Sequence, residues 1–487
     1  MLNFMYNIHN MFDVIIIGAG AIGSFVAREL IKFKLNVLLI EKNNDVGNET
    51  SSANSAIVHS GYDPEPGTLK ALLNVRGNKM FDQLSKELDF KFERIGSLTI
   101  ALNDEEGRKL IALRERAKLN NVDATILSKE ETLRIEPNLS SDVIASLYAP
   151  TAGIIDPFTM VANTVENFVD NGGKLHLNEE VKAIENCGDF IKITTNIDVY
   201  DAKMVINCAG LYSVEIAKMI DPNLNLKLTP KKGEYYLLSK FVNVVNHVCF
   251  NVPTELGKGV LIAPTTSNNV IVGPNNIFAK SLDDVSTDTE SLISIKNKAL
   301  KNIKIDPFNE TIRVFAGNRP HLENYPDFYI KSSKSCPNFI NLIGIESPGL
   351  ASSPAIAEYV INEFVSKYFD LIKNEQFNPF VRKHHILSDM CDTNLKREFI
   401  ENNPAYGEII CSCEQVSLGE ILDILNRSVP INSIRALKKR TRAGFGKCQG
   451  GFCQPKLAKI LAEYKNVDLK EIVYSEIGSN VLERRAK

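Results

Sequence analysis

The sequence predicts an α/β fold, in which a discontinuous parallel-sheet domain is joined to an antiparallel-sheet domain and to a small helical domain at the C-terminus. Three observations predict this architecture. An apolar run near the N-terminus leads into a glycine-rich turn, two later apolar runs also end in glycine turns, and segments of β character lie between them. With 487 residues and 44% hydrophobic side chains, the chain is long enough for about three domains.

Composition excludes several classes of protein. The chain has 56 basic and 59 acidic side chains, a net charge of −3, so it lacks the positive charge that holds a nucleic-acid backbone, and we expect no nucleic-acid partner. Nine cysteines, an odd number in a long chain, argue against a secreted disulfide framework. No apolar run is long enough for a transmembrane segment, so we expect a cytoplasmic protein, with peripheral attachment to a membrane left open.

The first predicted element is a buried parallel strand at residues 12–17, followed directly by a glycine turn and a helix. Gly18 permits the tight turn, Gly20 admits a pyrophosphate to the backbone, and Gly23 allows the helix to pack on the strand. The next strand ends at Glu41, at the distance where an acid binds the ribose hydroxyls of a dinucleotide. Because this carboxylate would repel a 2′-phosphate, the pattern favours FAD or NAD over NADP.

Two later segments belong to the same predicted sheet. Residues 203–210 form a strand that runs into a glycine turn, and residues 339–350 form a strand and a glycine loop before a helix. The result is a discontinuous Rossmann-like domain. Between its pieces, segments with the alternation of antiparallel strands predict a sheet that carries a substrate pocket; they lie at residues 96–102, 233–238 and 270–273.

The run from Ser51 to Lys70, together with the first glycine turn, resembles the D-amino-acid-oxidase-like superfamily of FAD-dependent oxidoreductases. Within it, the pattern is most similar to FAD-dependent glycerol-3-phosphate dehydrogenases and L-2-hydroxyglutarate dehydrogenases. The resemblance covers roughly residues 13–365 and includes the turn at 205–210 and the loop at 347–350. It implies FAD rather than NAD, with the flavin ring between the two domains.

The resemblance also implies which residues bind the cofactor. They are Gly18, Gly20, Gly23 and Glu41 for the ADP half, Thr50, Ser51, Asn54 and Ser55 for the phosphates and flavin, Ala209 and Gly210 for the adenosine side, and Gly349 and Leu350 for the flavin ring.

An alcohol oxidised on a flavin needs an acceptor for its hydroxyl proton, and a histidine suits this task. His59 is the catalytic candidate. A covalent tether to the flavin, or a ring that only packs against the cofactor, is the alternative role for this side chain.

Arg319 matches an arginine that in many relatives binds the anionic group of the substrate, and a guanidinium accepts carboxylate or phosphate through paired hydrogen bonds. The alternative for Arg319 is a surface ion pair. Lys231, Lys232 and Lys258 are candidates for additional positive charge. Residues 265–269 depart from the His-Gly-Asn version that hydroxyacid and glycerophosphate relatives more often carry, which weakens the assignment of a substrate.

Four cysteines form a separate motif near the C-terminus. Cys411 and Cys413 form a C-x-C pair, and Cys448 and Cys453 form a C-x4-C pair. Four thiolates in two pairs suit zinc or an iron–sulfur cluster, but neither pair has the C-x2-C spacing of structural zinc sites. The surrounding sequence resembles the bacterioferritin-associated-ferredoxin-like 2Fe-2S domain over roughly residues 408–462, so we favour a 2Fe-2S cluster, with zinc and a redox disulfide pair as alternatives.

A basic run precedes the second cysteine pair and comprises Arg435, Lys438, Lys439, Arg440 and Arg442. Such charge would raise the potential of a cluster or dock an acidic protein. A solvated helix face is the equally weighted alternative.

Taken together, these motifs predict an FAD-dependent dehydrogenase that oxidises a small anionic alcohol and passes its electrons through a 2Fe-2S cluster to a redox partner protein or quinone-linked acceptor. Glycerol 3-phosphate is the first substrate because the fused cysteine domain resembles that of anaerobic glycerol-3-phosphate dehydrogenases. L-2-hydroxyglutarate or another 2-hydroxy acid is the alternative substrate, and a flavin/iron–sulfur electron-transfer subunit is the alternative class. Assembly into a hetero-oligomer is left open by the sequence.

The predicted domain bounds follow from these motifs. The oxidoreductase body spans residues 11–372, and it is followed by a linker at 373–407, a 2Fe-2S domain at 408–463 and a tail at 464–487. Within the body, the FAD-binding segments are at about 11–75, 150–215 and 325–372, and the substrate domain is at about 76–149 and 216–324.

Overall fold

Two large β-sheets and a small C-terminal domain organise the protein, in a computed structural model that describes residues 11–253 and 259–483. The helices in chain order are α1 (Ala21–Leu30), α2 (Leu69–Glu87), α3 (Asp104–Leu119), α4 (Lys129–Ile135), α5 (Pro157–Asp170), α6 (Ser213–Ile220), α7 (Thr289–Ala299), α8 (Gly349–Glu363), α9 (Thr393–Asn402), α10 (Leu418–Leu425), α11 (Ile434–Thr441) and α12 (Gln454–Lys465). None of these described helices is both long and apolar enough to cross a bilayer.

The strands are short and numerous. In chain order they are β1 (Met11–Ile17), β2 (Val37–Ile40), β3 (Ile57–Val58), β4 (Phe92–Glu93), β5 (Ser97–Ala101), β6 (Thr125–Ser128), β7 (Ala145–Ala149), β8 (Gly153–Ile155), β9 (Lys174–His176), β10 (Val181–Asn186), β11 (Ile191–Thr195), β12 (Val199–Asn207), β13 (Leu228–Leu238), β14 (Val248–Asn251), β15 (Leu261–Pro264), β16 (Val270–Gly273), β17 (Ile277–Phe278), β18 (Thr311–Leu322), β19 (Tyr329–Ser332), β20 (Phe339–Ile343), β21 (Ile409–Cys411) and β22 (Val416–Ser417).

The first sheet has a parallel centre in the order β9, β2, β1, β12 and β20. Strands β10, β11 and β19 extend it in antiparallel fashion. Strand β1 carries an almost uninterrupted apolar run because a strand covered on both faces excludes water from both sets of side chains. The predicted discontinuous α/β domain is confirmed, since segments 203–207 and 339–343 join β1 in one sheet.

Helix α1 connects β1 to β2 and packs against α5 and α8 on one face of this sheet. Phe25, Val26 and Leu30 are buried in the contact. Each such side chain stabilises the fold by roughly 1.5–3 kcal/mol relative to its exposed state. The spacing of apolar residues that predicts helix α1 therefore also places these residues on the side of the helix that faces the core.

The second sheet has nine strands and is antiparallel apart from the β5–β14 pair, as the alternating segments predict. Its longest ladder joins β13 to β18, with Leu228 opposite Leu322 at one end and Leu238 opposite Thr311 at the other. Side chains alternate between faces along a strand, so residues 315, 317 and 319 of β18 share one face with residues 231, 233 and 235 of β13.

The C-terminal domain has its own core, formed by β21, β22 and α10 to α12. Ser417 and Glu420 cap α10 reciprocally, which satisfies two backbone N–H groups at its start. Residues beyond 463, which the sequence assigns to a tail, return to this core and bury Ile472 in it. Residues 484–487 of the predicted tail lie outside the described residues.

The basic run of α11 does not face solvent. Lys438, Lys439 and Arg440 are buried, and the last two bind the carboxylate of Asp45 at 2.5 and 2.6 Å. Lys439 also donates to the carbonyl oxygen of Val46 at 2.9 Å. Two interpretations of this run, a solvated face and a docking site for an acidic partner, are therefore wrong for Lys439 and Arg440, which attach the C-terminal domain to the loop after β2.

We predict that Asp45→Asn weakens the attachment of the C-terminal domain. The substitution leaves Lys439 and Arg440 buried without their anion, and breaking one side of a buried ion pair typically costs about 3–5 kcal/mol. The expected result is a lower thermal midpoint and faster proteolytic release of the domain, measured by calorimetry and limited trypsin digestion.

The matched control is Glu180→Gln, which breaks a half-exposed pair with Lys182 and should cost only about 0–1 kcal/mol. Burial opposes ionisation of Asp45, but Arg440 and Lys439 outweigh it and lower its pKa to about 2. Because the unfolded value is about 3.9, the stabilisation is complete above that pH and is lost as the pH falls towards 2. The stability gap between the wild type and Asp45→Asn should therefore narrow in acid, and a gap equal to that of the control at pH 7 would contradict the prediction.

Candidate functional site

A cavity of about 910 Å³ is lined by residues from both large sheets. Ten of the residues predicted for the site line it: Gly20, Thr50, Ser51, Asn54, Ser55, His59, Gly210, Arg319, Gly349 and Leu350. The structure thus brings together segments that lie up to 330 residues apart in the sequence. Gly18, Gly23, Glu41 and Ala209 are not among the lining residues, and three of them shape the turn behind it.

The first glycine turn is built for close approach of backbone to backbone. Gly18 has φ +101°, and a Cβ there would lie 2.6 Å from the carbonyl oxygen of Cys208. A Cβ on Gly23 would lie 1.9 Å from the carbonyl oxygen of Gly18. Helix α1 starts without a side-chain cap at Gly20, which lines the cavity, so its positive end fits the pyrophosphate of a dinucleotide.

Glu41 is buried at the end of β2 and organises this turn. One of its carboxylate oxygens accepts the N–H of Ala19 at 2.8 Å, and the other accepts the N–H of Asn43 at 2.9 Å. Burial raises the pKa of Glu41 against these hydrogen bonds. The carboxylate occupies the position from which an acid binds ribose in dinucleotide folds.

The loop around residues 49–55 connects the first sheet to the second. The hydroxyl of Thr50 donates to the carbonyl oxygen of Asn318 on β18 at 2.7 Å, and the hydroxyls of Ser55 and Tyr235 lie 3.1 Å apart. A Cβ on Gly317 would lie 2.0 Å from the carbonyl oxygen of Ala53, so glycine is required at that crossing. The loop that resembles a flavin-binding segment is therefore pressed against the sheet that carries Arg319.

His59 follows β3 and lines the cavity. Its carbonyl oxygen accepts hydrogen bonds from the buried amides of Asn74 and Asn78, at 2.7 and 3.0 Å. Its ring stacks on Phe250, with centroids 5.7 Å apart. Sequence reasoning missed both asparagines, although two amides four residues apart on one side of α2 are the available signal.

Arg319 reaches the cavity from β18. Its guanidinium donates to the carbonyl oxygens of Lys231 and Asn275, at 3.3 and 3.2 Å, and to the side-chain oxygen of Asn276 at 3.1 Å. No carboxylate of the described residues forms an ion pair with it within 4 Å, so the surface-ion-pair alternative is not what the structure has. Hydrogen bonds to neutral oxygens orient the group and leave its positive charge for an anion.

The other predicted cations divide. Lys231 lines the cavity, whereas Lys232 is buried away from it and donates to the carbonyl oxygen of Ser286 at 2.8 Å. Lys258 lies outside the described residues. Lys298 and Lys301 also line the cavity from the end of α7, which the sequence alone did not reveal.

Tyr235 is another lining residue that sequence reasoning missed. Its ring stacks on Phe315 across the β13–β18 ladder, with centroids 4.8 Å apart, and burial raises the pKa of its hydroxyl. Tyr235 and Arg319 share one face of the paired strands, a placement that the alternation of β13 could have indicated once its partner strand was known.

Residues 265–269, which depart from the pattern of the relatives, form the turn between β15 and β16. None of them is among the described residues that line the cavity. Instead, the side-chain oxygen of Asn269 accepts a hydrogen bond from Arg442 of the C-terminal domain at 3.3 Å. The departure therefore lies at a domain contact rather than in the cavity.

The four cysteines converge at one edge of the C-terminal domain. The sulfur atoms of Cys413 and Cys448 lie 3.5 Å apart, and Cys411 and Cys453 interact with each other beneath them. Burial opposes ionisation of Cys448, but N–H groups of the following loop outweigh it and lower the pKa of its thiol. A backbone that turns its N–H groups towards sulfur suits thiolate ligands.

This arrangement fits a cluster better than a zinc ion. The thiols stand in two pairs, whereas a structural zinc site closes four ligands on one ion. Glycine is required nearby, because a Cβ on Gly446 would lie 2.3 Å from the Cβ of Cys413.

Strand β18 connects the cavity with the cysteines. Arg319 lines the cavity, and Arg313, on the same face of the strand, donates to the side chain of Gln449 in the cysteine loop at 3.4 Å. Six residues of strand span roughly 20 Å. One strand, β18, thus contacts the cavity through Arg319 and the cysteine loop through Arg313.

Known proteins share both parts of this architecture. A model of the FAD dependent oxidoreductase (DAO) family matches residues 13–363, and a model of the BFD-like [2Fe-2S] binding domain matches residues 409–463. A glycerol 3-phosphate dehydrogenase of Caloramator mitchellensis is 45% identical over 477 residues, which is 97% of this chain and 98% of that protein. A glycerol 3-phosphate oxidase of Mycoplasma genitalium is 37% identical, over 75% of this chain and 97% of that protein.

Among solved structures, the FAD-bound, dithionite-reduced L-α-glycerophosphate oxidase of Mycoplasma pneumoniae superposes with a TM-score of 0.73 at 29% identity, covering 77% of this chain and all of that one. The resemblance found from the motifs is confirmed, and so are FAD and a 2Fe-2S cluster as the cofactors. The chain therefore belongs to the FAD-dependent oxidoreductase family, and it carries a BFD-like [2Fe-2S] binding domain at its C-terminal end.

Proposed function

We propose that this protein is a glycerol-3-phosphate dehydrogenase, which oxidises the C2 alcohol of glycerol 3-phosphate to a ketone and passes the electrons on through its C-terminal domain. The observation that carries the proposal is a single cavity in which His59 and an arginine without a carboxylate partner among the described residues, Arg319, accompany the flavin-binding loop. The full-length similarity to a glycerol 3-phosphate dehydrogenase supports it.

Flavin accepts two electrons as hydride, and a 2Fe-2S cluster carries one electron at a time. For the cofactor sites we retain the residues that the motifs indicate. The ADP half of FAD is assigned to Gly18, Gly20, Gly23 and Glu41, its phosphates and flavin to Thr50, Ser51, Asn54 and Ser55, its adenosine side to Ala209 and Gly210, its ring to Gly349 and Leu350, and the cluster to Cys411, Cys413, Cys448 and Cys453.

In this proposal Arg319 binds the phosphate of the substrate. Carbonyl oxygens hold its guanidinium in place, so the anion is met by a charge that is already oriented. Lys231, Lys298 and Lys301 add positive charge to the cavity wall, which also carries Glu106 and Glu346. A phosphate dianion gains more from this wall than a neutral alcohol does.

His59 accepts the hydroxyl proton as the C2 hydrogen leaves. The hydrogen bonds from Asn74 and Asn78 fix its backbone, and the stack on Phe250 fixes the plane of its ring. A proton acceptor held in this way needs no reorientation during the reaction.

The test of the function is an anaerobic substrate panel read by absorbance. We expect glycerol 3-phosphate to bleach the flavin band and then the cluster bands of the purified holoenzyme, whereas L-2-hydroxyglutarate and glycine leave both unchanged. If only L-2-hydroxyglutarate bleaches these bands, the substrate is a 2-hydroxy acid, and the anionic group that the protein recognises is a carboxylate instead of a phosphate. Bleaching only by a reduced partner protein would favour the electron-transfer subunit.

We predict that Arg319→Lys raises KM for glycerol 3-phosphate with a smaller effect on kcat, since lysine keeps the charge but loses the paired donors. Hydrogen bonds to charged groups contribute about 1.5–3 kcal/mol, so a roughly 10- to 100-fold rise is expected with a dye as acceptor. Arg313→Lys, on the same face of β18 outside the cavity, is the matched control. Equal KM values for the two variants would remove Arg319 from substrate binding.

We predict that His59→Gln lowers kcat about 10²- to 10⁴-fold, the usual contribution of a positioned proton acceptor. Because imidazole accepts a proton only when neutral, kcat/KM of the wild type should fall as the pH is lowered, and this acidic limb should vanish in the variant. Phe250→Leu is the control, since it removes the ring stack but keeps the acceptor. A His59→Gln enzyme that retains the acidic limb would contradict the assignment.

A further inference from the structure

The two cysteine pairs differ in exposure. Cys411 and Cys453 are buried, at 1% and 2% exposure, whereas Cys413 and Cys448 are only half-buried. A cluster held by all four would therefore present the Cys413–Cys448 edge towards solvent. Electrons that leave the protein by this domain leave it at that edge.

Two large exposed aromatic side chains belong to segments that contact or contain this edge. Phe452, between the cluster ligands of the second pair, is 84% exposed, and Phe241 is 78% exposed. Phe241 is linked to the edge because the amine of its neighbour Lys240 donates to the carbonyl oxygen of Cys413 at 3.1 Å. An isolated exposed phenylalanine is unremarkable, but a pair at the rim of a redox site is typical of an interface.

The charge around the two rings is mainly positive. Lys447 and Lys456 are exposed on the second cysteine loop and at the start of α12, and Lys240 is partly exposed on the other side. Two acids pair with the cations of this region: Glu414 is buried beneath Lys240 and Arg442, and Glu310 pairs with Lys447 at 3.2 Å. Solvent therefore meets more cationic than anionic groups here, although the whole protein has a net charge of −3.

We propose that Phe241, Phe452, Lys240, Lys447 and Lys456 form a docking surface for a small acidic one-electron carrier protein of the rubredoxin type, whose reduction potential lies above that of an alcohol–ketone couple. Positive charge steers the acidic partner to the edge, and the two rings supply the apolar contact of a small, transient interface. The inference rests on the proposed function for its electrons. Each glycerol 3-phosphate oxidised releases two electrons and two protons, so two carrier molecules are reduced by one electron each.

The experiment uses the holoenzyme, glycerol 3-phosphate and an oxidised acidic rubredoxin as the probe, with dichlorophenolindophenol as a small dye acceptor. The variants are Phe241→Ser, Phe452→Ser and the double variant Lys447→Glu/Lys456→Glu. The matched controls are Leu119→Ser and Lys109→Glu, which change an exposed leucine and an exposed lysine on or at the end of α3. Iron content and the visible spectrum establish that each variant keeps its cluster.

We expect the double variant to reduce rubredoxin at least roughly tenfold more slowly than the wild type and to bind it more weakly by calorimetry, and we expect binding to the wild type to fall as the salt concentration rises. Phe241→Ser should also reduce and bind the carrier more weakly. Because Phe241 is not adjacent to a cysteine, this variant keeps the test valid even if Phe452→Ser loses its cluster. Dye-linked turnover should stay within about twofold of the wild type in every cluster-loaded variant, as should both readouts in the controls.

Rubredoxin reduction and binding that are unchanged in the double variant and in Phe241→Ser would overturn the proposal. So would salt-independent binding, or a wild type that binds anionic vesicles or a second copy of itself through these residues and not rubredoxin. If the wild type does not turn over glycerol 3-phosphate with the dye, the proposed function is refuted, and this outcome is distinct from a failure of the docking surface.

Discussion

The buried carboxylate of Asp45 is the constraint on which the arrangement of the two redox sites depends. It lies in the loop between Glu41, at the end of β2, and Thr50, at the wall of the cavity. Its partners Lys439 and Arg440 belong to α11, in the domain that holds the cysteines. One anion therefore ties the cofactor-binding loop to the cysteine domain, and because the site is buried the three charges are stable only together.

The β13–β18 ladder supplies the second connection. Close crossings such as that of Gly317 with Ala53 hold the ladder against the cofactor-binding loop, while its far end touches the cysteine loop through Arg313 and Gln449. A paired strand is stiff along its length, so the distance between the two sites is set by the number of residues between Arg319 and Arg313. Fixed separation suits a protein in which one site collects electrons and the other releases them.

Much of the site follows from local sequence. The glycine turn at 18–23 requires its residues for reasons that hold in any context, because a Cβ would collide with backbone there. The number and spacing of the cysteines in the two pairs also predict a metal or iron–sulfur site without any tertiary information. In contrast, the basic run of α11 was misread, since charge in a sequence indicates solvent by default and nothing local shows that Asp45, almost 400 residues earlier, neutralises it. Asn74, Asn78 and Tyr235 escaped notice because no local pattern identifies their hydrogen-bond partners, which lie 15, 19 and 180 residues away.

The sequence by itself determined the α/β class, the discontinuous cofactor domain, the family and the ligand set proposed for the cluster, because each depends on short-range periodicity or on residues that one turn brings together. Only the tertiary structure decided which cations face the cavity, how His59 is held, where the unusual residues 265–269 lie and which cysteine edge meets solvent. Those properties depend on contacts between segments that lie from 15 to almost 400 residues apart, and such contacts exist only after two sheets and a separate domain have packed against one another.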